Sequence, residues 1–150
     1  MIKRITYREK IVPLWQSAFG DTVEEIEFFL DNARDYKCVG CFNGEELASM
    51  LFLVSCELNS KKAEYIYAAC TDEKYKKRGF MTELLNYCKN NYKTLCLIPA
   101  SDTLKEFYNA RGIYKRAEIS DIVFNQTDEI EEYLLDGYEL TEPCALYFER

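Results

Sequence analysis

Apolar residues fall into short runs whose spacing changes along the chain, and those changes predict the elements. Ile2 to Tyr7 reads as a first strand, followed by a helix to Phe19 that Gly20 closes. Pro13 fits that helix only within its first turn, where its missing N–H costs nothing. Thr22 and Glu25 form a capping box for a second helix, in which Ile26, Phe29 and Leu30 recur at helical spacing, ending near Arg34. Tyr36 to Phe42 and Glu46 to Leu58 are β-rich runs joined by Asn43-Gly44, a dipeptide at ease at positive φ, so a hairpin is expected there. Ala63 to Thr71 extends the meander. The charged segment 72–79 opens a helix with Met81, Leu84, Leu85 and Cys88 on one face, and Lys93 to Ile98 is a short strand closed by Pro99. Ser101 to Thr103 offer N-caps for a helix with Leu104, Phe107 and Tyr108 on one face and Gly112 beyond its end. Ile113 to Phe124 reads as one long strand, Asp128 to Leu135 as an acidic helix capped by Asp128 and Glu131, and Cys144 to Phe148 as a last strand.

This order, β-α-α-β-β-β-α-β-α-β plus a helix and strand, predicts one α/β (α+β) domain over residues 1–150. Its expected centre is a mixed, mostly antiparallel sheet of six to seven strands flanked by helices. The C-terminal segment 127–150 is left three roles: completing the sheet, covering a site, or mediating a homodimer.

Composition narrows the classes. The chain is 48% hydrophobic and 15% aromatic, a globular profile. No apolar stretch approaches the about 18 residues of a membrane span, and the N-terminus lacks the apolar core of a signal peptide, so a cytoplasmic, membrane-free protein is expected. Seven cysteines are an odd number, which fits reduced thiols better than a disulfide framework. Cys38 and Cys41 have CxxC spacing, but residues three apart in a strand point to opposite faces, and with no histidine in the chain no metal site is expected. Net charge is −7, which argues against a nucleic-acid partner and favours a cationic or amine ligand.

The charge is not evenly spread. Lys74, Lys76, Lys77 and Arg78 crowd into the eight residues Lys74–Met81, where a strand gives way to a helix. A helix N-terminus carries unpaired N–H groups and partial positive charge, and Gly79 lets the backbone approach a ligand closely, so the segment suits a pyrophosphate. A solvated charge run is the plainer alternative. Neither a G-x-G-x-x-G nor a G-x-x-x-x-G-K-[ST] pattern can be drawn from the six glycines, which excludes the common dinucleotide and nucleoside triphosphate fingerprints.

At this segment the chain resembles the GNAT N-acetyltransferase family, whose [RQ]-x-x-G-x-[GA] signature follows the fourth strand and cradles the pyrophosphate of acetyl-CoA. Lys76 falls on its first position, Gly79 on its glycine, and Met81 on its final small residue. Pro99-Ala100-Ser101, Leu104, Phe107-Tyr108 and Gly112-Ile113 resemble the family's second signature, with Ser101 standing where Asn is frequent and Tyr108 where its tyrosine stands. The resemblance covers about residues 1–124 and implies acetyl-CoA as co-substrate, bound with an amine acceptor in a ternary complex. Backbone groups of Ala69, Cys70 and Thr71 would then pair with pantetheine. Amides and side chains of Lys76, Lys77, Arg78, Gly79, Phe80, Met81 and Thr82, with Ser101, would complete the cofactor site. Tyr108 would protonate the departing thiolate, against its plainer reading as a core aromatic. Strand alternation puts Tyr65 and Tyr67 on one face and Glu64 on the other. The resemblance assigns that pair to the acceptor pocket, where core packing is the alternative, and leaves the general base unidentified. Cys70 lies near the implied thioester, which leaves an acyl-enzyme as a minor alternative in a chain with no histidine to activate the thiol. Besides an active N-acetyltransferase, two readings stay open: a silent acyl-CoA-binding sensor, and a structural interaction domain with a basic surface loop.

Overall fold

A computed structural model describes residues 1–150. The elements in chain order are β1 (Ile2–Ile5), α1 (Arg8–Phe19), α2 (Val23–Asn32), β2 (Tyr36–Asn43), β3 (Glu46–Leu58), β4 (Lys61–Thr71), α3 (Phe80–Asn91), β5 (Thr94–Leu97), α4 (Asp102–Ala110), β6 (Lys115–Ala117), β7 (Ile122–Phe124), α5 (Asp128–Leu135) and β8 (Ala145–Glu149). The eight strands form one sheet in the order β1-β2-β3-β4-β5-β8-β6, with β7 paired to β3 off this path. All pairings are antiparallel except β4 with β5. The architecture is therefore the mixed, mostly antiparallel α/β sheet expected from the pattern.

Two apolar layers cover the sheet. Trp15, Ile26, Phe29, Phe52, Tyr65 and Ile130 pack on the face toward α1, α2 and α5. Val39, Leu53, Ile66, Leu84, Leu85 and Tyr108 pack on the face toward α3 and α4. Cys38 and Cys41 fall in different layers, as strand alternation requires, and all seven cysteines are free thiols.

Four local expectations are corrected. Pro13 lies in the second turn of α1, not the first, and the helix runs through it without the N–H bond to Glu9 that proline cannot make. The β2–β3 turn is Gly44-Glu45, one position later than expected, because Asn43 still pairs with Glu46 and Gly44 takes the positive φ of 64°. Helix α5 is capped by Thr127, whose side chain accepts from the Ile130 amide, instead of by Asp128. The long strand Ile113 to Phe124 is instead two three-residue strands separated by a short 3-10 turn, Ile119–Asp121. Its breaker is the Glu118 amide donating to the Asp121 carboxylate at 3.0 Å, a local bond that competes with strand pairing. The halves separate as a result, β6 to β8 and β7 to the end of β3.

The C-terminal segment does two of the three things left open for it. Strand β8 lies between β5 and β6 and completes the sheet, while α5 and its following loop close over the end of the β4–β5 opening.

Candidate active site

Strands β4 and β5 pair at only two positions, Glu64 with Leu95 and Tyr65 with Cys96. Beyond them β4 continues to Thr71, so its edge toward β5 has no strand partner there. The same stretch carries a bulge: Met50 pairs with Cys70 and Phe52 with Tyr67, so Ala68 and Ala69 together oppose Leu51. Ala68 adopts φ 52°, a left-handed value rare for a residue with a Cβ, and such strain gathers at sites that need a re-aimed backbone. The opening is a cleft of about 490 Å³, lined at its inner part by Ala68, Ala69, Leu97, Ile98, Leu104 and Tyr108.

At one end of β4, the segment 76–79 leads into α3. Lys77 has φ 62° and Gly79 has φ 86°, so two residues of this turn take left-handed backbone, a value rare for the lysine and easy for the glycine. No side chain caps α3, and open space surrounds the position a Cβ would take on Gly79. The amides of Phe80, Met81 and Thr82 lie in the first turn, where no intrahelical acceptor exists. The Met81 side chain packs into the α3–α4 layer. Residues Lys76 to Gly79 are exposed.

The basic side chains there are not equivalent. Lys74 pairs with Glu46, and Lys76 pairs with Glu73 at 2.9 Å. Lys77 and Arg78 have no carboxylate partner; the Arg78 guanidinium lies 5.3 Å from the Tyr75 ring. A further cation escaped the sequence reading. Arg111 donates from Nε to the Thr82 hydroxyl at 2.8 Å and stacks 3.6 Å from the Phe107 ring, which brings it beside the first turn of α3. Its only sequence signal is the spacing of four residues from Phe107.

Tyr108 lies in α4 at 7% exposure and lines the cleft. Burial, with a smaller contribution from Cys70, pushes its hydroxyl up to about 12, and no hydrogen bond offsets that shift. Cys70 is likewise pushed up by burial, to about 12, so its thiol is held protonated and is a poor nucleophile. Thr71 shares a 2.7 Å hydrogen bond with Ser49. Ser101 is the N-cap of α4 that the sequence offered, its hydroxyl accepting from the Leu104 amide at 3.2 Å.

Tyr65 and Tyr67 lie on one face of β4 and both line the cleft. The Tyr65 hydroxyl donates to the Leu134 carbonyl at 2.6 Å, which ties α5 to the sheet. Tyr67 packs edge-on to Trp15 at 5.8 Å, and burial raises its pKa, with Asp21, Tyr133 and Asp136 adding to the shift. Asp21 is itself fixed, because the Trp15 Nε1–H donates to its Oδ2 at 2.8 Å. No group of His, Cys, Asp and Glu residues has the arrangement of a metal site.

A mixed sheet that opens between two parallel strands, with an amide turn at one end and a shaped cavity at the other, is the architecture of a GNAT-type α/β domain. Residues 4–117 match the acetyltransferase (GNAT) domain, and the chain belongs to that family. Solved structures agree in fold. A GNAT family acetyltransferase from Elizabethkingia anophelis with acetyl-CoA bound shares 19% identity and a TM-score of 0.63 over 100% of this chain and 97% of its own. An acetyltransferase from Bacillus subtilis in complex with CoA shares 17% identity and a TM-score of 0.61 over 99% and 97%. A probable N-acyltransferase from Enterococcus faecalis shares 20% identity and a TM-score of 0.58 over 75% of this chain, which spans 31% of that protein. At these identities the likeness is one of fold. No curated protein matches the chain in sequence. No helix is long and apolar enough to cross a membrane.

Proposed function

We propose that the chain is an N-acetyltransferase that moves an acetyl group from acetyl-CoA to an amine, both bound together. The observation that carries the reading is the opening of β4 from β5 between an exposed amide turn and Tyr108, a buried side chain that lines the cleft with its hydroxyl unpaired. Acetyl-CoA is what two structural relatives hold or its CoA product, and it would supply an activated thioester. The amides from Lys77 to Thr82, with the Lys77 and Arg78 side chains, hold a diphosphate. The free edge of β4 at Ala69 to Thr71 hydrogen-bonds the pantetheine arm as a missing strand would, and orients a carbonyl toward a backbone N–H. Lys76 contributes its main chain, its ammonium being paired to Glu73.

Transfer forms a C–N bond, breaks the C–S bond, and moves one proton from nitrogen to sulfur. Burial pushes the Tyr108 pKa up to about 12, so near neutral pH the hydroxyl keeps its proton and can donate a hydrogen bond to the departing sulfur. Any proton it gives up is replaced by the one the amine loses, so it ends unchanged.

The test is free-thiol release from acetyl-CoA across a panel of amines, with Tyr108→Phe beside the wild type. Amine-dependent release that the variant loses by about a hundredfold in kcat, within the usual range for an acid-base group, supports the proposal. CoA binding without release on any amine would make the domain a binding module. Absence of CoA binding would leave only a structural role.

A further inference from the structure

Arg111 is a half-buried cation with no carboxylate partner, and almost every part of it is held. It is the C-cap residue of α4, and its carbonyl accepts from the Lys89 ammonium of α3 at 2.6 Å. Its guanidinium lies 3.6 Å from the centre of the Phe107 ring, Nη1 donates to the Phe107 carbonyl at 2.9 Å, and Nε donates to the Thr82 hydroxyl at 2.8 Å. Ring, carbonyl and hydroxyl together fix a side chain that is otherwise rich in rotamers. Only Nη2 is left without a partner.

Thr82 is the third residue of α3. Helical Cα–Cβ bonds tilt toward the N-terminus, so its hydroxyl leans toward the turn 76–79. A hydroxyl has one hydrogen to donate and two lone pairs. The one bond this hydroxyl makes is the one it accepts from Arg111, so its hydrogen is unused and is directed away from the guanidinium. A charged donor on the oxygen also polarises the O–H and strengthens it as a donor.

A purely structural role explains this placement poorly. Lys89 already ties α3 to the end of α4, and Leu84, Leu85, Tyr108 and Ile113 pack the two helices together. A positive charge beside the first turn of a helix opposes the helix dipole, an arrangement that an anion at the turn relieves.

Resting on the acetyl-CoA reading above, we infer that Arg111 is a positioning residue of the diphosphate site: it locks the Thr82 hydroxyl in the orientation that donates to a phosphate oxygen, and it sets a positive charge behind that bond. The site thus extends from the contiguous segment 77–82 to the end of α4.

The test is a double-mutant cycle of Arg111→Gln, Thr82→Val and the two combined, with calorimetry of CoA, dephospho-CoA, inorganic pyrophosphate and pantetheine on each protein. Dephospho-CoA lacks the 3′-phosphate, and pantetheine lacks every phosphate. Arg111→Gln should weaken CoA, dephospho-CoA and pyrophosphate alike by about tenfold and leave pantetheine unchanged. Thr82→Val should weaken CoA about fivefold alone and less than about twofold once Arg111 is replaced, because the two act as a unit. Arg111→Lys, which keeps the charge without the planar fork, should restore only part of the loss. In turnover, KM for acetyl-CoA should rise with kcat unchanged. Wild-type affinity in Arg111→Gln, or losses that add in the double variant, would overturn the inference and leave the acetyl-CoA reading intact. A loss confined to CoA and absent with dephospho-CoA would also overturn it, by putting Arg111 on the 3′-phosphate. If Arg111→Gln does not fold, Thr82→Val and Arg111→Lys decide, and wild-type affinity in both overturns it. Failure of the wild type to bind CoA and pyrophosphate would sink the inference and the acetyl-CoA reading together.

Discussion

The two ends of the β4–β5 opening are built by different means. The end near Gly79 uses main-chain amides from six consecutive positions, with Lys77 and Arg78 free of carboxylates, and it lies open to solvent. The other end uses side chains from α1, the α1–α2 connection, β4 and α5, acidic and aromatic, with no basic residue. A backbone site binds any ligand with the right anion, and a side-chain site chooses among ligands by charge and shape. In a chain of net charge −7, this division gathers the unpaired cations at the end proposed for a diphosphate and the carboxylates at the end proposed for an amine.

Substitution at Gly79 separates the two ends most strongly. Gly79→Glu puts a Cβ at φ 86° and a carboxylate over the amide turn, so CoA affinity measured by calorimetry should fall more than about a hundredfold, with a stability loss of about 1–2 kcal/mol from the left-handed backbone. A near-normal affinity would mean the turn does not hold the ligand.

Next in size is a contrast among neighbouring cations. Lys77→Glu and Arg78→Glu should each weaken CoA binding about tenfold, whereas Lys74→Gln and Lys76→Gln, whose ammonium groups are already paired with Glu46 and Glu73, should change it by no more than about twofold. Equal losses at all four positions would reduce the loop to a diffuse positive field.

At the acceptor end, Tyr65→Phe removes the donor to the Leu134 carbonyl and should cost about 1–2 kcal/mol in a denaturant melt, because a buried acceptor loses its partner. The α5 lid should then loosen, seen as faster amide exchange over residues 128–135, and an unchanged melt would remove Tyr65 as its anchor.

The smallest expected effect is on pH behaviour. Tyr108 is raised from 10.0 to about 12, and Cys70 and Cys88 from 9.0 to about 12, all chiefly by burial. The neutral forms are favoured in the folded state, so their contribution to stability is complete below pH 9 and is lost as pH rises from there through about 12. Melting temperature should hold up to pH 9 and fall above it. The acetylation rate should rise with pH as the amine deprotonates, with no descending limb from Tyr108 before the fold weakens.

The contrast between the two ends also explains what was legible in the sequence. The amide turn is written in contiguous residues, since a strand, a basic run, Gly79 and an amphipathic helix follow one another, and their order alone places it. The acceptor end joins Asp21 to Asp136 from opposite ends of the chain, through folding that no local period reveals. Tyr65 and Tyr67 could be set on one face by alternation, but not that one hydroxyl would be spent on α5 and the other left among carboxylates. Ser101 was legible as an N-cap, because a serine before an apolar helical face readily satisfies the first turn of α4. The long strand over 113–124 failed because the Glu118–Asp121 bond is stronger locally than the pattern of apolar residues.

Acetyl-CoA binding, as proposed, turns on main-chain donors from Lys77 to Thr82 gripping a diphosphate. Titrating CoA into the nitrogen-15-labelled protein and following backbone amide shifts tests that directly. The largest downfield shifts should fall at Arg78, Gly79, Phe80 and Met81, reproduced by inorganic pyrophosphate at higher concentration. Saturable CoA binding that leaves those four amides unmoved would contradict it.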